Sequence, residues 1–291
     1  MSITRRSLLA GAAVSAAALP GLRAESGVKH YVRYRSGPSN ARGYGELEGD
    51  AIYPIEGSVL GKRERKGDKI ALSDVKLLFP VRSPKVFAVG LNYKSHLGSS
   101  PAPEKPEIFY KPTTSLQNPG DPIVIPSDAK NLHYEAEFVV VVGKAGKNIS
   151  ESEAADHILG YTCGNDVSER DWQQDDLQWW RAKGCDTFGP MGPSIAVGLD
   201  YMDSEISLRL NGETKQEQKV SDLLYKPEQI VSFISKHVRL APGDSIFTGT
   251  PGSTSAMKHG DVCEVEVTGV GILRNRVRKA RGITDLSAQS E

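Results

Sequence analysis

Cysteine is scarce in this chain. Three residues in 291, Cys163, Cys185 and Cys263, form an odd set with no C-x-x-C spacing. That pattern excludes a structural zinc ribbon and a disulfide framework; one disulfide is allowed, and the sequence does not select its pair. Net charge is missing as well, with 36 basic residues against 36 acidic ones. No basic block of nucleic-acid type breaks this balance. Arg274, Arg276 and Arg278 come nearest, but they alternate with apolar residues and read as the polar face of a final strand. Long apolar runs are absent too. The Ala-rich stretch ending near Pro20 is too short and interrupted to span a bilayer, so no stable membrane insertion is expected. What remains, 38% hydrophobic and 25% charged residues, can bury a core and excludes a disordered chain.

The N-terminus carries a twin-arginine pair, Arg5-Arg6, ahead of that apolar stretch, and Leu22-Arg23-Ala24 offers a small residue for cleavage. Residues 1–24 read as a Tat export signal, which places the mature protein in the periplasm. Losing Arg5, Arg6 and Arg23 leaves a mildly acidic chain. Tat substrates cross folded, so a metal chosen in the cytoplasm would travel with the protein.

Residues 28–80 hold short alternating segments separated by Gly, Pro and Asn, the pattern of a small β-rich N-terminal domain with an exposed loop at 62–69. Residues 84–280 form the main unit, with strands expected at 85–90, 107–110 and 123–125, and 281–291 are a tail. Helix signals are few. Ser150 and Glu153 fit a capping box that predicts a helix to about Leu159. Pro227 opens a second, with Ile230, Phe233 and Ile234 on one face. The expected class is β-dominated α+β, with a rolled or sandwiched sheet.

Chemistry concentrates at Glu135-Ala136-Glu137, which runs directly into Phe138-Val139-Val140-Val141-Val142. Carboxylates two apart share one face of a strand, and the Val-rich run marks that strand as interior. Two buried like charges need a neutraliser, and a divalent cation is the simplest. Asp166 offers a third hard oxygen at another apolar-to-polar transition. An all-oxygen set suits Mg²⁺ or Mn²⁺ better than zinc.

Six motifs then occur in order: Val89-Gly90-Leu91-Asn92-Tyr93, Phe109-Tyr110-Lys111-Pro112, the Glu-x-Glu pair, Gly160-Tyr161-Thr162 leading to Asn165-Asp166-Val167-Ser168-Glu169-Arg170-Asp171, Lys183 through Pro190, and Thr248-Gly249-Thr250-Pro251. Together they resemble the fumarylacetoacetate hydrolase superfamily, in its bacterial two-domain form. The resemblance implies a mixed β-roll catalytic domain, usually homodimeric, that binds Mg²⁺ or Mn²⁺ through Glu135, Glu137 and Asp166. Its substrates are 2-oxo or 1,3-dicarbonyl acids, activated by a Lewis-acid metal that stabilises an enolate. It further implies that Lys183 supports a developing oxyanion, and that Lys111, Arg170, Gln173 and Thr250 surround the substrate. Hydrolysis of a C–C bond is the first expectation. The alternatives are isomerisation or decarboxylation of oxo-dienedioates from aromatic catabolism, and capture of keto acids without turnover.

Several residues carry two readings. Lys111 before Pro112 is also a solvated strand end, and Arg170, among Asp166, Glu169 and Asp171, is also a structural ion pair. Trp179 and Trp180 either line an entrance or pack a core or dimer face. His133 is a fourth ligand or, in the plainer reading, a hydrogen-bonded strand histidine. The catalytic His96 follows the Asn92-Tyr93 motif, where family members often place a Glu three residues on to hold the imidazole. Here that position is Ser99, in a flexible Gly- and Pro-rich stretch, and Glu104 sits between Pro103 and Pro106. The missing carboxylate weighs against hydrolysis and favours isomerisation or decarboxylation.

Overall fold

The computed structural model describes residues 27–37 and 41–280. The segment expected to be a twin-arginine leader (1–24) and the expected tail (281–291) lie outside the described residues. The fold is mostly strand, a β-dominated α+β arrangement built from one large sheet and a smaller one. The apolar run after Glu137 explains the layering. Strand Ala136–Val142 is buried along its whole length. Phe138, Val140 and Val142 face one apolar cluster, while Val139 and Val141 face another. A strand covered on both sides reads as continuous hydrophobicity rather than alternation.

This strand lies in the middle of the large sheet, between Ile158–Asn165 and Ser245–Phe247, with Val86–Gly90 and then Glu107–Lys111 beyond. The five-stranded sheet runs Glu213–Lys219, Glu205–Leu210, Val262–Val267, Gly271–Lys279 and Ile123–Ile125. It shares a core with the Phe138 face of the central strand and with helix α2 (Pro227–His237). On Gly271–Lys279, Arg274, Arg276 and Arg278 are exposed and the residues between them buried, as the alternation predicts.

The N-terminal strands do not stand apart. Lys29–Ser36 pairs antiparallel with Gly189–Val197, so the module's sheet continues directly into the catalytic one. The predicted helix after Ser150 is a correction. The capping contacts form, with Ser150 Oγ donating to Glu153 Oε2 at 2.6 Å, yet only a 3₁₀ turn, Ala154–His157, follows. Strand Ile158–Asn165 takes over at once, because pairing with Ala136–Val142 satisfies its backbone and buries its side chains better than a short helix would. Phe233 in α2 is only half-buried, packed edge-on against His237, and Val231 occupies the core instead.

Candidate active site

The three acids converge. Glu135, Glu137 and Asp166 are all buried, and each offers an oxygen within 4.8 Å of the others. Backbone pairing places them: Asp166 N–H donates to the Glu135 carbonyl at 2.9 Å, and Asn165 Oδ1 accepts the Glu135 N–H at 2.9 Å. At that spacing, two like charges repel by about 3 kcal/mol per pair at an effective dielectric near 20.

Cations offset most of this. Lys183 Nζ bridges Glu135 Oε2 (2.5 Å) and Asp166 Oδ2 (2.7 Å), Lys111 Nζ reaches Asp166 Oδ1 (2.6 Å), and Arg170 Nη2 reaches Glu135 Oε1 (2.6 Å). Lys111 also donates to the Lys183 carbonyl. It is fully buried, so the solvated strand-end reading fails; Arg170 is an ion pair, and its partner belongs to the site. Burial raises the Glu135 carboxyl, but Lys183 and then Arg170 outweigh it and hold the group well below the usual carboxylate range. Burial lowers the Lys183 ammonium, and Asp166 with Glu135 reverse that into a net rise. Lys111 is lowered by burial, against the pull of Asp166.

Glu137 is the exception. Its bond in the cluster comes from the Gly249 N–H, at 2.7 Å. Burial, then Asp166 and Glu135, push its carboxyl well above the ordinary value. One backbone donor to a carboxylate is worth roughly 1.5–3 kcal/mol and does not offset two like-charged neighbours. Glu137 therefore needs a proton or a cation. A hard divalent ion fits this donor set: three carboxylates, one of them uncompensated. Gly249 is required here, because its φ of +108° and its approach to Asn92, where a Cβ would lie 2.7 Å from the Asn92 Cβ, both exclude a side chain.

The rest of the cleft is built around these acids. Helix α1 (Arg170–Asp175) starts on Glu169, whose buried carboxylate accepts from Lys130, Asn131 and Trp172 backbone N–H groups. Arg170 then donates to Gln173 Oε1 (2.7 Å) and to Thr254 Oγ1 (2.8 Å). Gln173 and Thr250 border the cleft. Trp179 lines it, edge-on to Phe109 at 5.3 Å, while Trp180 is 71% exposed and packs no core. His133 is no ligand: its ring bonds Thr254 and Asn131.

His96 lies on the single 3₁₀ turn Lys94–His96. Its Nδ1 is 2.6 Å from the Gly252 carbonyl, and its Nε2 is 3.9 Å from Glu135 Oε1. A carbonyl only accepts, so Nδ1 carries a proton, and the tautomer this selects for a neutral imidazole has its lone pair at Nε2, toward the cleft. Glu104 is exposed. Sequence reasoning sought a carboxylate partner; a backbone carbonyl fills the role and carries no residue signature. Thr254 and Gln216, which tie Arg170 and Thr250 in place, were also missed. The three cysteines are free.

Fold and site together define a β-roll enzyme centred on a buried carboxylate triad. The family model described as Fumarylacetoacetate (FAA) hydrolase C-terminal matches residues 85–278, and one described as Rv2993c-like, N-terminal matches residues 29–80. The chain belongs to the fumarylacetoacetate hydrolase family. It is 38% identical over 223 residues to a mitochondrial oxaloacetate tautomerase of Xenopus laevis, covering 72% of this chain and 70% of that one. Its fold matches the crystal structure of a 5-carboxymethyl-2-hydroxymuconate delta-isomerase from Mycobacterium smegmatis with a TM-score of 0.82 and 40% identity, over 86% of this chain and all of that one. A 2-hydroxyhepta-2,4-diene-1,7-dioate isomerase from Mycobacterium marinum gives 0.81 and 37%, over 87% of this chain and all of that one.

Proposed function

We propose that this protein is a Mg²⁺- or Mn²⁺-dependent isomerase that enolises a 2-oxo dicarboxylic acid, with oxaloacetate as the first candidate. The observation that carries this reading is the pinned imidazole: His96 is held by a carbonyl, with Nε2 facing the acid cluster. A carbonyl sets the tautomer but brings no full charge, unlike the carboxylate of a His–Glu pair that activates water. A group in that setting suits taking a proton from carbon and handing it back. The relatives above are named as a tautomerase of oxaloacetate and as isomerases of a hydroxymuconate and a hydroxy-dienedioate, which supports an isomerisation.

Charge supports the substrate class. Lys111, Lys183 and Arg170 equal the three acids in formal charge although none of them pairs with Glu137. A divalent cation on Glu137 would then leave two net positive charges for a dianion to balance. Glu135, Glu137 and Asp166 would hold the divalent metal, which would supply Lewis acidity to the oxo group. His96 Nε2 takes a proton from the carbon beside that group; the C–H electrons form the C=C bond, and the oxo oxygen takes on the charge. The Lys183 ammonium stabilises that charge in a cleft lined by Phe109 and Trp179. Arg170 and Thr250 hold a carboxylate. Return of the proton to carbon or oxygen completes the exchange.

Metal-loaded protein incubated in turn with oxaloacetate, an oxo-dienedioate and an acylpyruvate tests this by product analysis. Enol–keto exchange or double-bond migration without loss of carbon is expected. Pyruvate and CO₂ from oxaloacetate would make it a decarboxylase, cleavage of the acylpyruvate would restore the hydrolase expected from the sequence, and binding without product would make it a keto-acid receptor.

A further inference from the structure

Strand Glu213–Lys219 is the edge of the five-stranded sheet, and its side chains are polar or charged. One of them, Gln216, is 3% exposed. A buried amide is costly unless its groups are paired. This one is paired three times across the gap between the sheets. Its Oε1 accepts the Ala136 N–H at 3.0 Å, and its Nε2 donates to Thr250 Oγ1 at 2.9 Å and to the Pro251 carbonyl at 2.5 Å.

These partners fix more than the side chain. The Ala136 N–H can only donate and the Pro251 carbonyl can only accept, so the amide has one orientation. Its nitrogen therefore donates to Thr250 Oγ1. Thr250 is 4% exposed and borders the cleft. With its oxygen accepting from Gln216, its O–H is left to donate, and the cleft it borders is where a ligand oxygen would lie. Ala136, meanwhile, stands between the two acids Glu135 and Glu137.

We infer that Gln216 is a positioning residue that turns the Thr250 hydroxyl into a hydrogen-bond donor toward the substrate's oxygen and keys it to Ala136, the start of the strand that carries Glu137 and follows Glu135. The inference rests on the proposed reading that Thr250 meets a substrate carboxylate. Gln216→Glu reverses the polarity. A carboxylate at 216 still accepts from Ala136 but draws the Thr250 proton to itself, away from the cleft. Gln216→Met, neutral and of similar length, removes the donor without adding charge.

The test is calorimetry of oxalate, a planar dianion, on Mn²⁺-loaded protein, with Mn²⁺ affinity measured alongside. Gln216→Glu and Gln216→Met are expected to weaken oxalate at least about tenfold and change Mn²⁺ affinity less than threefold. Thr250→Val should match that loss, Thr250→Ser should bind as the wild type does, and Gln216→Glu combined with Thr250→Val should be no worse than either alone. With oxaloacetate, KM should rise by the same factor and kcat change little. Oxalate binding unaffected in both Gln216 variants, losses that multiply in the double variant, or a parallel loss of Mn²⁺ affinity would each overturn the inference, the last by making Gln216 merely structural. A wild type that binds oxalate but leaves oxaloacetate unchanged would overturn the proposed reaction instead, while the oxalate comparison still decides the role of Gln216.

Discussion

Lys183 does two jobs at the residue scale that its sequence motif does not separate. Its ammonium spans Glu135 and Asp166, and in the proposed reaction it would also face the developing negative charge. Lys183→Met should therefore keep or tighten Mn²⁺ affinity in calorimetry while lowering kcat/KM by roughly 100-fold or more, the scale of losing one charge-stabilising donor. Glu137→Gln should do the opposite, weakening Mn²⁺ by more than about 100-fold, since partners of metal ligands alone are worth roughly 10–100-fold. The acid pair was legible because two carboxylates entering a valine run are an electrostatic problem visible in the sequence. Lys111 was ambiguous because nothing local shows that Pro112 follows a buried strand end. Gly252 was invisible, because it acts through its carbonyl.

At the scale of elements, α1 shows how a marginal piece of structure is made dependable. Six residues form a helix too short to hold itself. Glu169 anchors it by taking three backbone N–H groups, two of them from the Lys130–Asn131 segment that leads toward Glu135. Glu169→Ala leaves the buried Trp172 N–H and the partly buried Lys130 and Asn131 N–H groups without this partner. With water reaching two of the donors, it should cost about 3–5 kcal/mol in urea unfolding, less than three full bonds to a charged group at roughly 1.5–3 kcal/mol each. Because Arg170 begins that helix, the surviving folded enzyme should also show a raised KM. The same scale explains the misread segment after Ser150. Its capping pattern is genuine, but local propensity loses to the long-range pairing of Ile158–Asn165, which no window of nearby residues displays. The opposite held for α2, where Pro227 and a buried face of Ile230 and Ile234 sufficed.

Across the whole molecule, the continuous sheet joins the N-terminal strands to the catalytic ones, and His30 sits at the junction, its Nδ1 3.2 Å from Ser194 Oγ. Burial holds its imidazole down at about 4, against 6.5 in a free chain. The unfolded chain takes up a proton below 6.5 that the folded chain refuses until about 4, so stability present above 6.5 is lost as pH falls. Unfolding free energy should drop by about 2 kcal/mol from this group between roughly pH 8 and pH 5, and His30→Gln should flatten that slope in urea titrations. Export through Arg5 and Arg6, and a homodimer, stand as proposals at this scale. Replacing both leader arginines by lysine should retain the protein in the cytoplasm, and sedimentation of the mature protein should give the mass of a dimer. The measurement that tests the central claim most directly is proton NMR of oxaloacetate in D₂O with Mg²⁺-loaded protein. Fast exchange of the methylene protons without pyruvate is the predicted result, lost in His96→Gln with metal binding intact. Exchange that persists in His96→Gln, or pyruvate formed at the rate of exchange, would contradict it.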